Sequence, residues 1–178
     1  MGKVLVVSDS HGLTKELEVI RERHMNEVDL MIHCGDSQLM ADNKAITGYL
    51  SVLGNCDFSG YPLETITEIS GRKIFVTHGH RYSVKTSLMN LVYKAEEVNA
   101  DIVCFGHSHI LGAEVIDDRL FLNPGSIRLP RERLEKTYVI LDIRDDKIMM
   151  SVFELGGREV KNLAREFGLP KSGNGNGE

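Results

Sequence analysis

A chain of 178 residues with 42% apolar side chains is long enough to bury a proper core, so disorder is not its class. Its formal charge of -5 argues against non-specific nucleic-acid binding, yet a small phosphate substrate stays open if metal ions supply positive charge locally. Cys34, Cys56 and Cys104 form no even set and no CxxC pair, and the first apolar run is too short for a signal peptide or membrane span. A cytoplasmic protein is therefore expected.

Taken in order, residues 4–7 read as a short buried strand that stops at Asp9-Ser10-His11-Gly12. If extended geometry persists, the period of two points Asp9 and His11 the same way. Leu13, Leu17, Ile20 and Val28 follow helical spacing and predict an amphipathic helix on that strand, with His24 a surface histidine near its end. A second strand over 29–33 runs into Cys34-Gly35-Asp36; His33 faces the core or backs the strand end, and is not read as a ligand. A weaker helix is expected over 39–46, then a strand over 49–53 ending at Gly54-Asn55-Cys56-Asp57. This alternation predicts an α/β layout with a largely parallel sheet.

The pattern then changes. Residues 64–70 and 73–77 read as a hairpin ending at His78-Gly79-His80. Val84, Leu88, Leu91, Ala95 and Val98 predict a second amphipathic helix with Ser83 as its N-cap. Residues 102–105 form a short strand opening into Gly106-His107-Ser108-His109. Two hairpins follow, turning at Asp117-Asp118 and Asp145-Asp146. One domain is expected over 1–171, with a Gly- and Asn-rich disordered tail over 172–178.

Asp9, His11, Asp36, Asn55, His78, His107 and His109 each fall at or just past the end of an apolar strand, where open α/β sheets bind ligands. Three oxygen donors and four imidazoles exceed the needs of one divalent ion. They suit two ions about 3.5–4 Å apart that share a carboxylate. Mixed N/O ligation without thiolate favours Mn, Fe, Zn, Co or Ni over Mg or Ca. Chance placement of polar residues at strand ends accounts for any one position, but poorly for the whole set.

In this order, Asp9-x-His11, Gly35-Asp36, Gly54-Asn55, His78 and Gly106-His107-x-His109 resemble the calcineurin-like metallophosphoesterase superfamily across residues 9–131. Gly54-Asn55-Cys56-Asp57, His78-Gly79-His80 and Asn123-Pro124-Gly125-Ser126-x-x-x-Pro130-Arg131 look like its compact microbial phosphodiesterase branch. The resemblance implies an α/β fold, a four-layer αββα sandwich of two mixed β-sheets flanked by helices. It also implies two divalent metal ions per chain, with manganese first and nickel, zinc, iron or cobalt as alternatives. Asp9, His11, Asp36 and His109 would hold one ion, and Asn55, His78 and His107 the other, with Asp36 bridging. The implied reaction is hydrolysis of a small phosphodiester by a hydroxide shared between the ions.

One position departs from the family pattern. Most of the superfamily has His after Gly-Asn, contacting the phosphate and protonating the leaving group; here that residue is Cys56. A thiol is a weak donor with an ordinary pKa of about 8.5, so it does not simply inherit that role. His80 is the nearest substitute acid, and orienting a metal ligand is an equal reading of it. The candidate catalytic set is Asp36, Asn55, His80 and Cys56. A covalent role for Cys56 is disfavoured because no Cys-x5-Arg loop follows. Arg128 and Arg131 read equally as phosphate contacts and as surface charge. The alternative to catalysis is a protein-binding scaffold of the same fold, as in a eukaryotic sorting-complex subunit that resembles this branch. A nuclease fits less well, given the acidic balance and no room for a substrate-capping domain. No membrane partner is expected, and self-association into a homo-oligomer stays open.

Overall fold

Alternation within the first strand dictates the layering. In β1 (Gly2–Val7), Val4 and Val6 enter one apolar cluster while Leu5 and Val7 enter another, all four fully buried. Each such side chain is worth about 1.5–3 kcal/mol of transfer free energy, so the strand is pinned on both faces. The computed structural model describes residues 1–170; the tail expected over 172–178 lies outside the described residues.

The other strands are β2 (Leu30–His33), β3 (Leu50–Ser51), β4 (Glu64–Ile69), β5 (Arg72–Thr77), β6 (Ile102–Cys104), β7 (Gly112–Ile116), β8 (Arg119–Asn123), β9 (Thr137–Ile143), β10 (Lys147–Glu154) and β11 (Arg165–Gly168). They form a six-stranded sheet in the order β11-β10-β9-β1-β2-β3 and a five-stranded sheet in the order β4-β5-β6-β8-β7. Both are mixed: β1, β2 and β3 run parallel beside antiparallel β9, while β5, β6 and β8 run parallel between antiparallel β4 and β7. The faces that meet bury Val4, Val6, Ile74, Val76, Leu122 and Leu141. The first helix, α1 (Lys15–His24), covers the outer face of the first sheet with Leu17 and Ile20 on Leu5 and Val7. The second, α2 (Met89–Glu97), covers the other sheet with Leu91, Val92 and Ala95 near Phe75, Val103 and Phe121. Helix, sheet, sheet, helix is the expected four-layer order.

Some local expectations fail for identifiable reasons. Residues 39–46 form turns, not a helix. The Asn43 side chain accepts from Ala45 N at 2.9 Å, Thr47 Oγ1 donates back to Asn43 O, and Gly48 takes φ +92°. The third strand shrinks to two residues. Ser83 is no N-cap: it sits left-handed at φ +54°, and α2 starts at Met89. His24 is buried rather than on the surface; its Nε2 bonds the Tyr138 hydroxyl at 2.8 Å and its Nδ1 pairs with Glu27. The closing strand β11 goes unseen in the sequence because Arg165 and Glu166 leave it almost no apolar face.

Candidate metal centre

The carboxyl ends of β1, β2 and β3 meet those of β5, β6 and β8 along one rim, tied by hydrogen bonds between loops. His107 N donates to Asp9 Oδ2 at 3.1 Å, His78 Nδ1 to Cys34 O at 2.7 Å, and His11 N to Asp36 O at 2.9 Å. Asp9 and His11 do converge, but not through continued extended geometry. Asp9, His11, Asp36, His107 and His109 have φ of +54°, +42°, +56°, +68° and +61°, a region that side-chain-bearing residues rarely occupy. Strain of this kind, about 1–3 kcal/mol per residue, persists where the surroundings impose it and concentrates at functional sites.

Two glycines let the loops approach. A Cβ on Gly54 would stand 2.0 Å from Asp36 Oδ1, and one on Gly106 would stand 2.1 Å from Ser8 Oγ and 2.5 Å from Asp9 Oδ2. The Gly-Asn and Gly-His motifs therefore have a steric reason: only hydrogen fits behind each carboxylate.

Two groups of donor atoms result. Asp9, His11, Asp36 and His109 bring ligand atoms within 4.8 Å of one another, and so do Asp36, His78 and His107. Asn55 joins the second group, its Oδ1 being 3.1 Å from His78 Nε2. Asp36 belongs to both. Its Oδ2 lies 3.2 Å from His78 Nε2 and 3.9 Å from His11 Nε2, while its Oδ1 accepts from Cys56 N at 2.8 Å.

The donor chemistry fits cations. His78 and His109 each spend Nδ1–H on a backbone carbonyl, Cys34 O and Leu129 O, both at 2.7 Å. In the neutral ring this leaves a lone pair on Nε2. Those lone pairs face oxygen acceptors, Asp36 Oδ2 and Asn55 Oδ1 for His78, and Asp9 Oδ1 at 3.1 Å for His109. His11 Nε2 and His109 Nε2 also face each other at 3.2 Å. Asp9 Oδ1 is buried and accepts no hydrogen bond from the described residues. Acceptors pointed at acceptors in a buried pocket need a cation between them, either a proton or a metal. The titration tendencies agree. Burial would lower His78, yet Asp36 and Asp9 raise it above the ordinary imidazole value. His109 is raised by Asp9. Burial opposes ionisation of Asp9 and Asp36, but the imidazoles outweigh it and hold both carboxyls below their usual range. Burial, with His78 and Lys85 nearby, pushes His107 down to about 4.

The flanking residues divide. Cys56 is exposed at the mouth; partial desolvation and the charge of Asp36 raise its pKa, which keeps it a thiol. His80 lies 5.4 Å, ring to ring, from His78 and 6.1 Å from His107; its buried Nδ1 has no hydrogen-bond partner among the described residues. Arg128 donates to His11 O, so it braces the first loop. His33 is fully buried, accepts from Gly35 N at 3.1 Å and bonds Ser10 Oγ at 2.8 Å.

Sequence reasoning missed Asp57, which accepts from Asp36 N at 2.9 Å, Gly54 N at 2.7 Å and Gln38 N at 2.7 Å. It also missed Ser126, whose hydroxyl holds Asp9 O at 2.7 Å. Both act on backbone, which no spacing of side chains signals.

Comparison with known proteins agrees with this geometry. Residues 3–146 match the model of the calcineurin-like phosphoesterase superfamily domain. The probable metallophosphoesterase YsnB of Bacillus subtilis is 50% identical over 167 residues, 93% of this chain and 99% of that protein. A conserved Streptococcus pneumoniae protein, described as a predicted phosphoesterase, superposes with a TM-score of 0.90 at 36% identity, covering 94% of this chain and 97% of that one. A novel archaeal phosphodiesterase gives a TM-score of 0.68 at 26% identity over 85% of this chain and 99% of its own. Vps29 of Entamoeba histolytica, at 20% identity and a TM-score of 0.71 over 93% of this chain and 97% of its own, shares the fold. A family model spanning most of the chain, and a half-identical relative over nearly all of it, lead to one conclusion: this chain belongs to the calcineurin-like phosphoesterase superfamily.

Proposed function

We propose that the protein is a divalent-metal-dependent phosphodiesterase. The observation that carries this reading is the pair of donor groups sharing Asp36, with imidazole lone pairs turned on oxygen acceptors. Asp9, His11, Asp36 and His109 would hold one ion, and Asp36, Asn55, His78 and His107 the other, with manganese the first candidate. Bound there, two such ions would neutralise phosphoryl charge and make a shared water acidic enough to supply hydroxide near neutral pH.

The remaining work falls to the chain. Asp9 and Asp36, held ionised, set the negative charge of the pocket. Cys34 O and Leu129 O lock the rings of His78 and His109 so that Nε2 faces inward. Proton delivery to the leaving oxygen is the weak part. An efficient general acid has a pKa near the working pH, whereas Cys56 is raised and His80 is lowered by burial beside His78. A diester with an acidic leaving group needs little proton help, which favours activated diesters. The likeness to an archaeal phosphodiesterase supports the same substrate class.

A protein-binding scaffold would rest on the fold shared with Vps29 alone, and an intact donor set favours catalysis. The deciding experiment is a matrix of metals against phosphomonoesters and phosphodiesters on purified, chelator-stripped protein. Restored diester hydrolysis supports the proposal. Metal uptake without turnover of any phosphoester supports the scaffold.

A further inference from the structure

Backbone carbonyls fix the rings of His78 and His109, but a side chain fixes that of His11. Its Nδ1 lies 2.9 Å from Gln38 Oε1. An amide oxygen only accepts, so Nδ1 carries the proton of that bond and Nε2 keeps its lone pair. The lone pair is turned on the donor cluster, with His109 Nε2 at 3.2 Å, Asp9 Oδ1 at 3.8 Å and Asp36 Oδ2 at 3.9 Å.

The local backbone explains why Gln38 stands beside this ring. The chain leaving β1 pairs with the chain leaving β2: His11 N donates to Asp36 O at 2.9 Å and Gly12 N to Ser37 O at 2.8 Å. The next residue, Gln38, takes φ +53° and gives its N–H to Asp57 Oδ1 at 2.7 Å. Asp57 accepts from Asp36 N and Gly54 N as well, so one carboxylate anchors Gln38 and the loop of Asp36 together. Gln38 itself is exposed, so its side chain is not needed to fill the core. What it supplies is an acceptor at a fixed place.

We propose that Gln38 is a positioning residue for His11, its amide oxygen holding Nδ1–H so that Nε2 is presented to the ion shared with Asp9, Asp36 and His109. The partner is neutral. A carboxylate in its place would draw harder on Nδ1–H and make Nε2 a stronger donor, so the amide sets a moderate hold on that ion. This inference rests on the two-ion reading above, but it concerns metal affinity and is measurable without turnover.

The test titrates Mn²⁺ by calorimetry into the chelator-stripped full chain as wild type, Gln38→Leu and Gln38→Glu. Gln38→Leu removes the acceptor. It should weaken one of the two metal equivalents by about 10–100-fold and leave the other unchanged, because His11 belongs to only one donor group. Gln38→Glu should tighten the same equivalent by about tenfold, the difference between a neutral and a charge-assisted hydrogen bond. Added negative charge alone would also attract the ion, and NMR of the Zn²⁺-loaded proteins separates the two effects. The exchangeable Nδ1–H proton of His11 should be visible in wild type and Gln38→Glu and lost to exchange with water in Gln38→Leu, while those of His78 and His109 remain. Equal affinity in wild type and Gln38→Leu, or a His11 Nδ1–H signal that survives the substitution, overturns the proposal even if diesters are hydrolysed. The expected order of affinities without turnover of any phosphoester upholds it and sinks the phosphodiesterase reading instead.

Discussion

His109 turns its Nε2 to within 3.1 Å of Asp9 Oδ1 while its Nδ1 is committed to the Leu129 carbonyl at 2.7 Å. A neutral ring so fixed offers Asp9 a lone pair, not a proton, and the same conflict recurs between His78 and Asp36. The pocket is thus built around positive charge between these acceptors, a proton on the ring or a metal ion. Chelation should abolish activity and Mn²⁺ should restore it. Asp36→Asn should exceed the roughly 10–100-fold loss typical of an outer partner, because Asp36 serves both donor groups. Full activity in metal-stripped protein, or in Asp36→Asn, would refute a two-ion centre.

Protons and metal should compete for these rings. His78 and His109 are raised above the ordinary 6.5, so the metal-free protein keeps their protons to higher pH than a free imidazole would, and metal must displace them. His107, lowered to about 4, is already neutral near neutral pH. Metal uptake should release protons, and apparent affinity should weaken as pH falls toward 6.5. Calorimetric titration in buffers of different ionisation enthalpy measures the release directly. No buffer dependence at neutral pH would contradict the arrangement.

His33 should matter beyond packing. It joins the two loops that carry Asp9, His11 and Asp36, accepting from Gly35 N and bonding Ser10 Oγ. The bond accepted from Gly35 N requires the neutral ring, in keeping with a pKa that burial lowers to about 4. His33→Leu should weaken metal affinity about 10–100-fold, with His33→Gln recovering part of it through its remaining donor and acceptor. The folded-state pKa lies below the unfolded 6.5, so below that pH the unfolded chain binds a proton that the folded chain refuses. Stability therefore drops as pH falls from 6.5 toward 4, and His33→Gln should lack this contribution to the slope. Equal metal affinity in His33→Leu and wild type would reduce His33 to a packing residue.

Strand ends marked by Asp, Asn and His were legible because apolar runs stopping at polar ligands stand out in sequence, and the sheets place those ends on one rim. The motif glycines were legible as letters, but their reason, a Cβ that would strike Asp36 or Ser8, belongs to the assembled loops. His24 was misread because burial near Tyr138 depends on an antiparallel strand more than 100 residues away. Asp57 stayed hidden for a related reason: its partners are backbone N–H groups of another loop. Helix spacing also misled over 39–46, where Asn43 bonds its own turn.

Substrate class should separate by charge and leaving group. A diester carries one negative charge and, with an acidic leaving group, asks little of a proton donor. At saturating metal, activated diesters should outpace matched monoesters. Faster monoester hydrolysis would overturn the diesterase reading while leaving family membership intact.

Cys56 sits exposed at the mouth of the centre, where its backbone N–H serves Asp36 at 2.8 Å and its thiol stays protonated. If no strong acid faces the leaving oxygen, rates should fall steeply as leaving-group pKa rises, so aryl diesters react well and alkyl or nucleoside diesters poorly. Replacing the thiol by imidazole keeps the backbone contact and adds a group able to donate near neutral pH. General acid catalysis is typically worth about 10²–10⁴-fold where a proton is needed. Cys56→His should thus accelerate alkyl diesters selectively, by about tenfold or more, and barely change aryl ones. His80→Ala is the control, because His80 lies beside His78 with one ring nitrogen unpartnered. If His80 already donates the proton, His80→Ala will lose alkyl diesters alone and the Cys56 gap does not exist. A uniform loss across leaving groups with weaker metal binding assigns His80 to orienting His78. In that case the leaving-group slope of Cys56→His should be shallower than that of wild type.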